Sequence, residues 1–245
     1  MSARFEELDW RETPMGAISL RRRLDPSLGV DIYEVKLGDE FLMSSLFTVA
    51  EVELARLGLA ALPGTDLDVL VGGLGLGYTA RAVLEDAQVR SMTVVEALGE
   101  VIDWHEQGLL PDSDVLTLDS RCRLVAGDFF AMVRDGTVVD TTSAGRLYHA
   151  VLVDIDHSPR HVLHPSHAPF YSVEGLRRLE ALLHPDGVFA LWSDDPPDDT
   201  FMAGLAEVFV TSESHVVTFD NHLTGATSAN TVYVARRRDG GQRRV

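Results

Sequence analysis

An apolar run that breaks into glycines is the feature that most constrains this chain. Residues 68–77 read DVLVGGLGLG, and a helical pattern follows at 78–83. A buried parallel strand is rich in Val and Leu, and glycines at its carboxyl end let the main chain approach a ligand over the next helix's N-terminus. The segment therefore predicts a strand, a ligand-binding glycine loop and a helix. A tight turn without a ligand is the alternative that this motif alone leaves open.

Strand and helix patterns alternate from residue 68 onward, and most of the strands finish on a glycine or an acid. This alternation predicts an α/β fold with a doubly wound, Rossmann-like sheet, whose ligand lies across the carboxyl ends of the strands. The last two strands are most simply an antiparallel hairpin. The predicted strands cover residues 69–72, 91–95, 123–126, 149–153, 188–192, 214–219 and 231–235.

The N-terminal residues differ from the rest because apolar and polar residues alternate there over short spans, at 17–20 and 30–37. Period-two alternation predicts strands, so we expect a small β cap at 1–46 before a main domain at 47–237. Thr48 and Glu51 have the spacing of a capping box for the helix that follows. The basic, glycine-containing residues 238–245 predict a flexible tail.

Composition narrows the class of protein. The 245 residues are 45% hydrophobic and 24% charged, as expected for a globular protein with a sizeable core. We find neither an apolar run of ~18 residues nor a basic-then-apolar leader, so we expect a cytoplasmic protein without a membrane partner. The net charge of −17 argues against nucleic acid and is compatible with a small cationic substrate.

Two acids at strand ends have the placement that a nucleoside requires. Glu96 lies 19 residues after Gly77, where a carboxylate can accept hydrogen bonds from both ribose hydroxyls. Asp128 follows the third strand and could meet an adenine amino group, with Phe129 or Phe130 against the ring face. The alternatives are a solvated acid at Glu96 and a helix cap at Asp128.

The glycine spacing favours a sulfonium donor over a dinucleotide. The loop reads GGLGLG, without the two residues that precede the last glycine of the dinucleotide pattern. The terminal hairpin and the pair of acids suit one nucleoside, so we expect S-adenosylmethionine or its decarboxylated form as co-substrate. The candidate cofactor-binding glycines are Gly72, Gly73, Gly75 and Gly77.

The loop after the fourth strand supplies the catalytic candidates, Asp154, Asp156 and His157. An acid there can take a proton from an attacking amine, because a nitrogen that has lost its proton is nucleophilic. Loop capping is the alternative for Asp154, and only one of Asp156 and His157 can easily face the cleft. The four histidines at 157–167 suggest a metal site, but prolines interrupt the segment and we expect no metal.

These motifs resemble the spermidine/spermine synthase (polyamine aminopropyltransferase) family over about residues 38–235. The similar parts are the glycine loop and residues 95–96, 127–128, 148–154, 170–171, 186–188 and 232–235. The resemblance implies a β-stranded cap, a main domain like class I methyltransferases, and a homodimer. It assigns the ribose to Glu96, the adenine to Asp128 and the catalytic base to Asp154. On the acceptor side we expect Glu51, Tyr171 and Trp192.

The chain departs from the family around the acceptor. Leu76 stands where the family's glycine loop has an aspartate, and residues 45–51 retain only the last acid, Glu51, of the family's Asp-Glu-x-x-Tyr-x-Glu segment. No glutamine precedes Gln88, and His157 replaces the second aspartate of the gate loop. Two ammonium groups need several carboxylate and polar partners, so these departures argue against putrescine as the acceptor.

Three functions remain open from the sequence. The first is aminopropyl transfer from a sulfonium donor to a small amine. The second is methyl transfer from S-adenosylmethionine, which Leu76 favours because an aspartate there would repel the donor's carboxylate. The third is a catalytically silent protein that keeps the nucleoside site.

Overall fold

The computed structural model describes residues 5–137 and 145–238. An antiparallel sheet at the N-terminus has four strands in sequential order. They are β1 (Phe5–Thr13), β2 (Gly16–Asp25), β3 (Val30–Leu37) and β4 (Glu40–Ser44). The sequence patterns did not predict β1, because its acidic residues do not all lie on one solvent-facing side of a strand with regular alternation. The neighbouring residues Glu6 and Glu7 point to opposite faces of β1, so both faces carry polar groups, and Glu6 pairs with Arg22 of β2 at 2.5 Å.

The main sheet has seven strands. They are β5 (Leu67–Gly72), β6 (Val89–Glu96), β7 (Cys122–Ala126), β8 (Tyr148–Val153), β9 (Leu183–Ser193), β10 (Thr211–Asn221) and β11 (Ala226–Arg236). The helices are α1 (Val49–Ala60), α2 (Tyr78–Glu85), α3 (Gly99–Glu106), α4 (Ser113–Thr117), α5 (Phe129–Asp135), α6 (Val173–Glu180) and α7 (Asp199–Val208), and a 3₁₀ helix covers Pro165–Tyr171.

The strand order β10-β11-β9-β8-β5-β6-β7 reverses between β8 and β5. Strands β5 to β9 pair in parallel, whereas β11 is antiparallel to both β9 and β10. The terminal hairpin and the doubly wound fold class predicted from the sequence are confirmed. In such sheets ligands bind at the carboxyl ends of the strands beside the reversal, which here are the ends of β5 and β8.

The central strand β5 is buried on both faces, which explains its unbroken apolar sequence. Val69 and Val71 join the cluster that contains α1 to α4, while Leu70 joins the cluster that contains α5, α6 and α7. Successive strand residues point to opposite faces, so one short strand anchors both cores. This burial holds the end of β5, where the glycines begin, in a defined position.

The predicted capping box at the start of α1 is wrong. The Thr48 side chain makes no capping hydrogen bond, and Glu51 lines a cavity instead of turning back to the helix end. The predicted domain boundaries at residues 46 and 47 stay predictions, and the flexible tail lies outside the described residues apart from residue 238. No helix in the described parts of the chain has the length and apolarity to cross a bilayer.

Candidate active site

Two cavities meet at the carboxyl ends of β5 and β8. The first has a volume of about 340 Å³ and lies between the N-terminal sheet and the ends of β5, β6 and β8. The second, of about 460 Å³, lies between α1, the glycine loop and the β10–β11 hairpin. Both are lined by Leu42, Met43, Gly75, Asp154 and Ile155. A ligand in one cavity can therefore reach a ligand in the other beside Asp154.

Two glycines of the loop are required by the protein's own packing. At Gly72, a Cβ would lie 2.8 Å from the Phe129 ring. At Gly73, φ is +95° and a Cβ would lie 2.0 Å from the main-chain oxygen of Asp154. Glycine alone fits such positions without strain. Gly73 and Gly75 line the first cavity, Gly75 and Gly77 line the second, and Gly72 lines neither.

Glu96, at the end of β6, holds the glycine loop and lines the first cavity. Its two carboxylate oxygens accept hydrogen bonds from the main-chain N–H groups of Leu74 at 3.0 Å and Leu98 at 2.9 Å. Burial raises the pKa of Glu96, and these N–H groups oppose that rise. Each carboxylate oxygen has more than one acceptor site, so Glu96 can also accept from two neighbouring hydroxyls.

Asp128 is the helix cap that the sequence offered as the alternative, and its adenine-binding role stays a prediction. Its carboxylate accepts from Ala131 N–H at 3.0 Å and so caps α5, and the residue also lines the first cavity. Phe129 and Phe130 line the same cavity, with their ring centroids 5.8 Å apart and their planes at 80°. An acceptor beside aromatic faces suits a flat ring with an exocyclic amine.

Asp154 lies at the junction of the two cavities, directly after β8. Its carboxylate accepts a hydrogen bond of 2.7 Å from the Thr79 hydroxyl. Burial raises the pKa of Asp154, and the Thr79 hydrogen bond opposes the rise. A buried carboxyl with a raised pKa is suited to exchanging a proton near neutral pH.

Glu51 faces the second cavity from α1. Its pKa is raised by burial first and then by repulsion from Asp154 and, more weakly, Asp194. Two carboxylates that share a buried site do not both ionise readily unless a cation joins them. The second cavity therefore favours a positively charged guest.

Aromatic side chains form part of the remaining wall of the second cavity. Trp192, the penultimate residue of β9, lines the cavity, as do Phe47 and Phe219, whose ring centroids lie 5.6 Å apart. His157 also lines the second cavity and contacts Glu40 of β4 through Nε2 at 3.0 Å. Among the described residues that line either cavity, none is a lysine or an arginine.

Asp156 and Tyr171 line neither cavity, in contrast to the catalytic and substrate-binding roles predicted for them. Asp156 is only 1% exposed and accepts hydrogen bonds of 2.8 Å from Leu163 N–H and from the Tyr171 hydroxyl. It also contacts His167 Nδ1 at 2.8 Å. The loop after β8 turns His157 toward the cavity and Asp156 away from it, so Asp156 anchors the loop.

Sequence reasoning missed Thr79, Met43, Phe47 and Phe219. The sequence could have indicated Thr79, because the second residue of the helix that follows a glycine loop lies close to the end of the neighbouring strand. The other three come from β4, the segment before α1 and β10, and only the tertiary fold brings them to the site. No group of three or more metal-ligating side chains occurs within residues 5–137 and 145–238.

No family model matches the sequence. Among curated proteins, the chain is similar to polyamine aminopropyltransferase 2 of Pseudomonas aeruginosa, with 30% identity over 168 residues. That match covers 64% of this chain and 44% of the relative, so the chain spans less than half of the relative's length in the alignment.

Solved structures share the fold. A spermidine synthase in complex with the transition-state analogue AdoDATO has a TM-score of 0.72 at 18% identity, covering 94% of this chain and 73% of that chain. The spermidine synthase of Thermotoga maritima gives 0.70 at 18% identity, covering 94% and 72%. Human methyltransferase-like protein 13 in complex with SAH gives 0.59 at 19% identity, covering 80% and 85%. The methyltransferase-like fold and the resemblance predicted from the sequence are confirmed.

Proposed function

We propose that this chain, a divergent relative of the spermidine/spermine synthase family, transfers an aminopropyl group from decarboxylated S-adenosylmethionine to an amine. The observation that carries the proposal is the meeting of two different cavities at Asp154. One cavity offers the acceptors and aromatic faces that a nucleoside needs. The other offers carboxyl groups for a cation.

The charge of the site favours the decarboxylated donor. The sulfonium and the adjoining chain of the donor would lie near Gly75 and Asp154, within reach of Glu51 and Asp194. S-Adenosylmethionine carries a carboxylate at the end of that chain, which these acids would repel and which no lining lysine or arginine would pair. The decarboxylated form keeps the ammonium group and lacks the carboxylate. Leu76 stands where the family has an aspartate, and Glu51 supplies the negative charge that is lost at that position.

The proposed reaction needs little covalent chemistry from the protein. Asp154 accepts the proton that the acceptor's ammonium group must lose, which frees the nitrogen lone pair. That lone pair forms the new N–C bond while the C–S bond breaks, and its electrons pass to sulfur, which becomes a neutral thioether. Glu96 and Asp128 hold the nucleoside end, so the protein contributes mainly by aligning the two reactants.

Methyl transfer from S-adenosylmethionine is the second candidate. The likeness to a methyltransferase that was solved with SAH supports it, as does Leu76 in the wall of the second cavity. A catalytically silent nucleoside-binding protein is the third candidate. A homodimer and a cytoplasmic location are proposed with the first function, by analogy with the family.

Isothermal titration with three nucleosides separates these candidates. The purified chain is titrated with decarboxylated S-adenosylmethionine, S-adenosylmethionine and methylthioadenosine. Each donor is then incubated with a panel of monoamines and diamines, and the products are identified by mass spectrometry. We expect tighter binding of the decarboxylated donor and an aminopropylated amine.

The other possible results of these two measurements each favour a different function. Preference for the carboxylated donor would overturn aminopropyl transfer in favour of methyl transfer. Binding without any product from either donor would favour the silent protein, and no binding of any nucleoside would remove both enzyme functions.

A further inference from the structure

The hydroxyl of Thr79 joins three elements of the site. Thr79 is the second residue of α2 and only 3% exposed. Its Oγ1 lies 2.7 Å from Oδ2 of Asp154, after β8, and 3.3 Å from the main-chain oxygen of Glu51 in α1. We propose that Thr79 is the positioning residue for Asp154. The hydroxyl hydrogen of Thr79 points to Asp154 when Asp154 is ionised and to the main-chain oxygen of Glu51 when Asp154 is protonated. This inference rests on the proposed function for the origin of that proton.

The two contacts cannot both be full hydrogen bonds at one time, because a hydroxyl has one hydrogen and both neighbours are acceptors. When Asp154 is ionised, Thr79 donates to it at 2.7 Å, a charge-assisted bond. When Asp154 is protonated, Asp154 donates to Thr79 Oγ1 and the threonine hydrogen turns to the oxygen of Glu51. Each protonation state of Asp154 therefore has a satisfied partner.

Asp154 depends on this single neighbour. Within residues 5–137 and 145–238, Thr79 is the only side chain that donates a hydrogen bond to its carboxylate. A buried carboxylate without a donor is costly, so the carboxyl group keeps its proton to a higher pH. Thr79 is fixed in turn by its place in the first turn of α2, which follows directly on Gly77.

Other titratable groups line the two cavities that meet at Asp154. On the side of the second cavity these are Glu51 of α1, Tyr78 of α2, His157 of the loop after β8 and Asp194 after β9. On the side of the first cavity they are Glu96, Asp128, His164 and His167. Replacing Thr79 changes none of them, so a shift in the titration of Asp154 would report the hydroxyl.

Carbon-13 NMR of aspartate carboxyl groups tests the proposal without any assumption about the reaction. Asp154→Asn identifies the Asp154 resonance, and its pKa is then measured in Thr79→Val, Thr79→Ala and Thr79→Ser. We expect the pKa of Asp154 to rise by about one unit in the Val and Ala variants and to stay near the wild-type value in Ser. Two variants without the hydroxyl keep the test valid if one of them fails to fold.

Transfer activity supplies the second measurement. The acid limb of kcat/KM against pH should move upward with the pKa of Asp154 in the Val and Ala variants, and Thr79→Ser should restore it. An unmoved Asp154 titration in both Val and Ala variants overturns the proposal, as does an equal shift in Ser. If no amine is aminopropylated by the wild type, the proposed function fails, while the NMR titration still decides the role of Thr79.

Discussion

Replacing Gly73 with alanine is the most direct test of how the glycine loop is tied to the catalytic candidate. Gly73 follows β5 with φ at +95°, and a Cβ there would lie 2.0 Å from the oxygen and 2.9 Å from the carbon of the Asp154 carbonyl group. Real Cβ atoms essentially never approach closer than 3.0 Å. The main chain of Asp154 must therefore move by roughly 1 Å, because neither partner is the end of a flexible side chain.

The cost follows from the contacts on each side. A non-glycine residue at positive φ lowers the free energy of unfolding by about 1–2 kcal/mol. The displacement also breaks or lengthens two main-chain hydrogen bonds, Gly73 N–H to Val95 at 2.9 Å and Asp154 N–H to Gly72 at 2.8 Å, each contributing about 0.5–1.5 kcal/mol. We expect Gly73→Ala to lower the free energy of unfolding by about 2–5 kcal/mol.

Urea unfolding at 25 °C, followed by circular dichroism, measures this loss. Gly99→Ala is the matched control, because Gly99 begins α3 and nothing lies within 4 Å of its added Cβ. Alanine is favoured over glycine in helices by up to about 1 kcal/mol, so the control should be neutral or slightly more stable. The reasoning is refuted if Gly73→Ala is as stable as the wild type, or if both variants lose the same free energy.

Three further predictions concern the acids. Asp154→Asn should abolish transfer while methylthioadenosine binding, measured by isothermal titration, stays nearly unchanged; wild-type turnover would show that the proton goes elsewhere. Glu96→Gln should weaken methylthioadenosine binding by roughly 10–100-fold, because the amide offers a donor where Leu74 or Leu98 N–H needs an acceptor; an unchanged dissociation constant would contradict this. Because the folded state raises the pKa of Glu51, its contribution to stability is greatest below the unfolded value of about 4.5 and is lost as pH rises through the raised value. Glu51→Gln should therefore flatten the fall in unfolding free energy toward alkaline pH, and an equally steep fall in the variant would count against a raised pKa.

Local patterns in the sequence predicted the residues of the proposed nucleoside half of the site. The buried strand β5, its glycines, Glu96 and Asp128 lie within one run of strand–helix units. Because the carboxyl ends of parallel strands meet at one edge, sequence spacing alone predicts that these residues converge. The structure places Glu96 and Asp128 on the first cavity as that rule requires.

The orientation of the loop side chains did not follow from sequence. The resemblance singled out Asp154, but the sequence left open which of Asp156 and His157 faces the cleft, and the fold separates these two. Asp156 turns into the protein interior, where it contacts Tyr171 and His167. His157 turns toward the second cavity and contacts Glu40 of the N-terminal sheet. Glu40 lies 117 residues from His157 in sequence, so no local pattern could show which of Asp156 and His157 faces the cavity.

The sequence by itself determined the doubly wound fold and where the proposed nucleoside site lies, because both depend on short-range periodicity and on residues at consecutive strand ends. Only the tertiary structure decided the character of the second cavity, the proposed acceptor side. There α1, the N-terminal sheet and the terminal hairpin enclose the second cavity, and Glu51 faces Asp154 instead of capping its own helix. The burial and charge repulsion of Glu51 and Asp154 arise because folding brings together two residues that are about one hundred positions apart in the sequence.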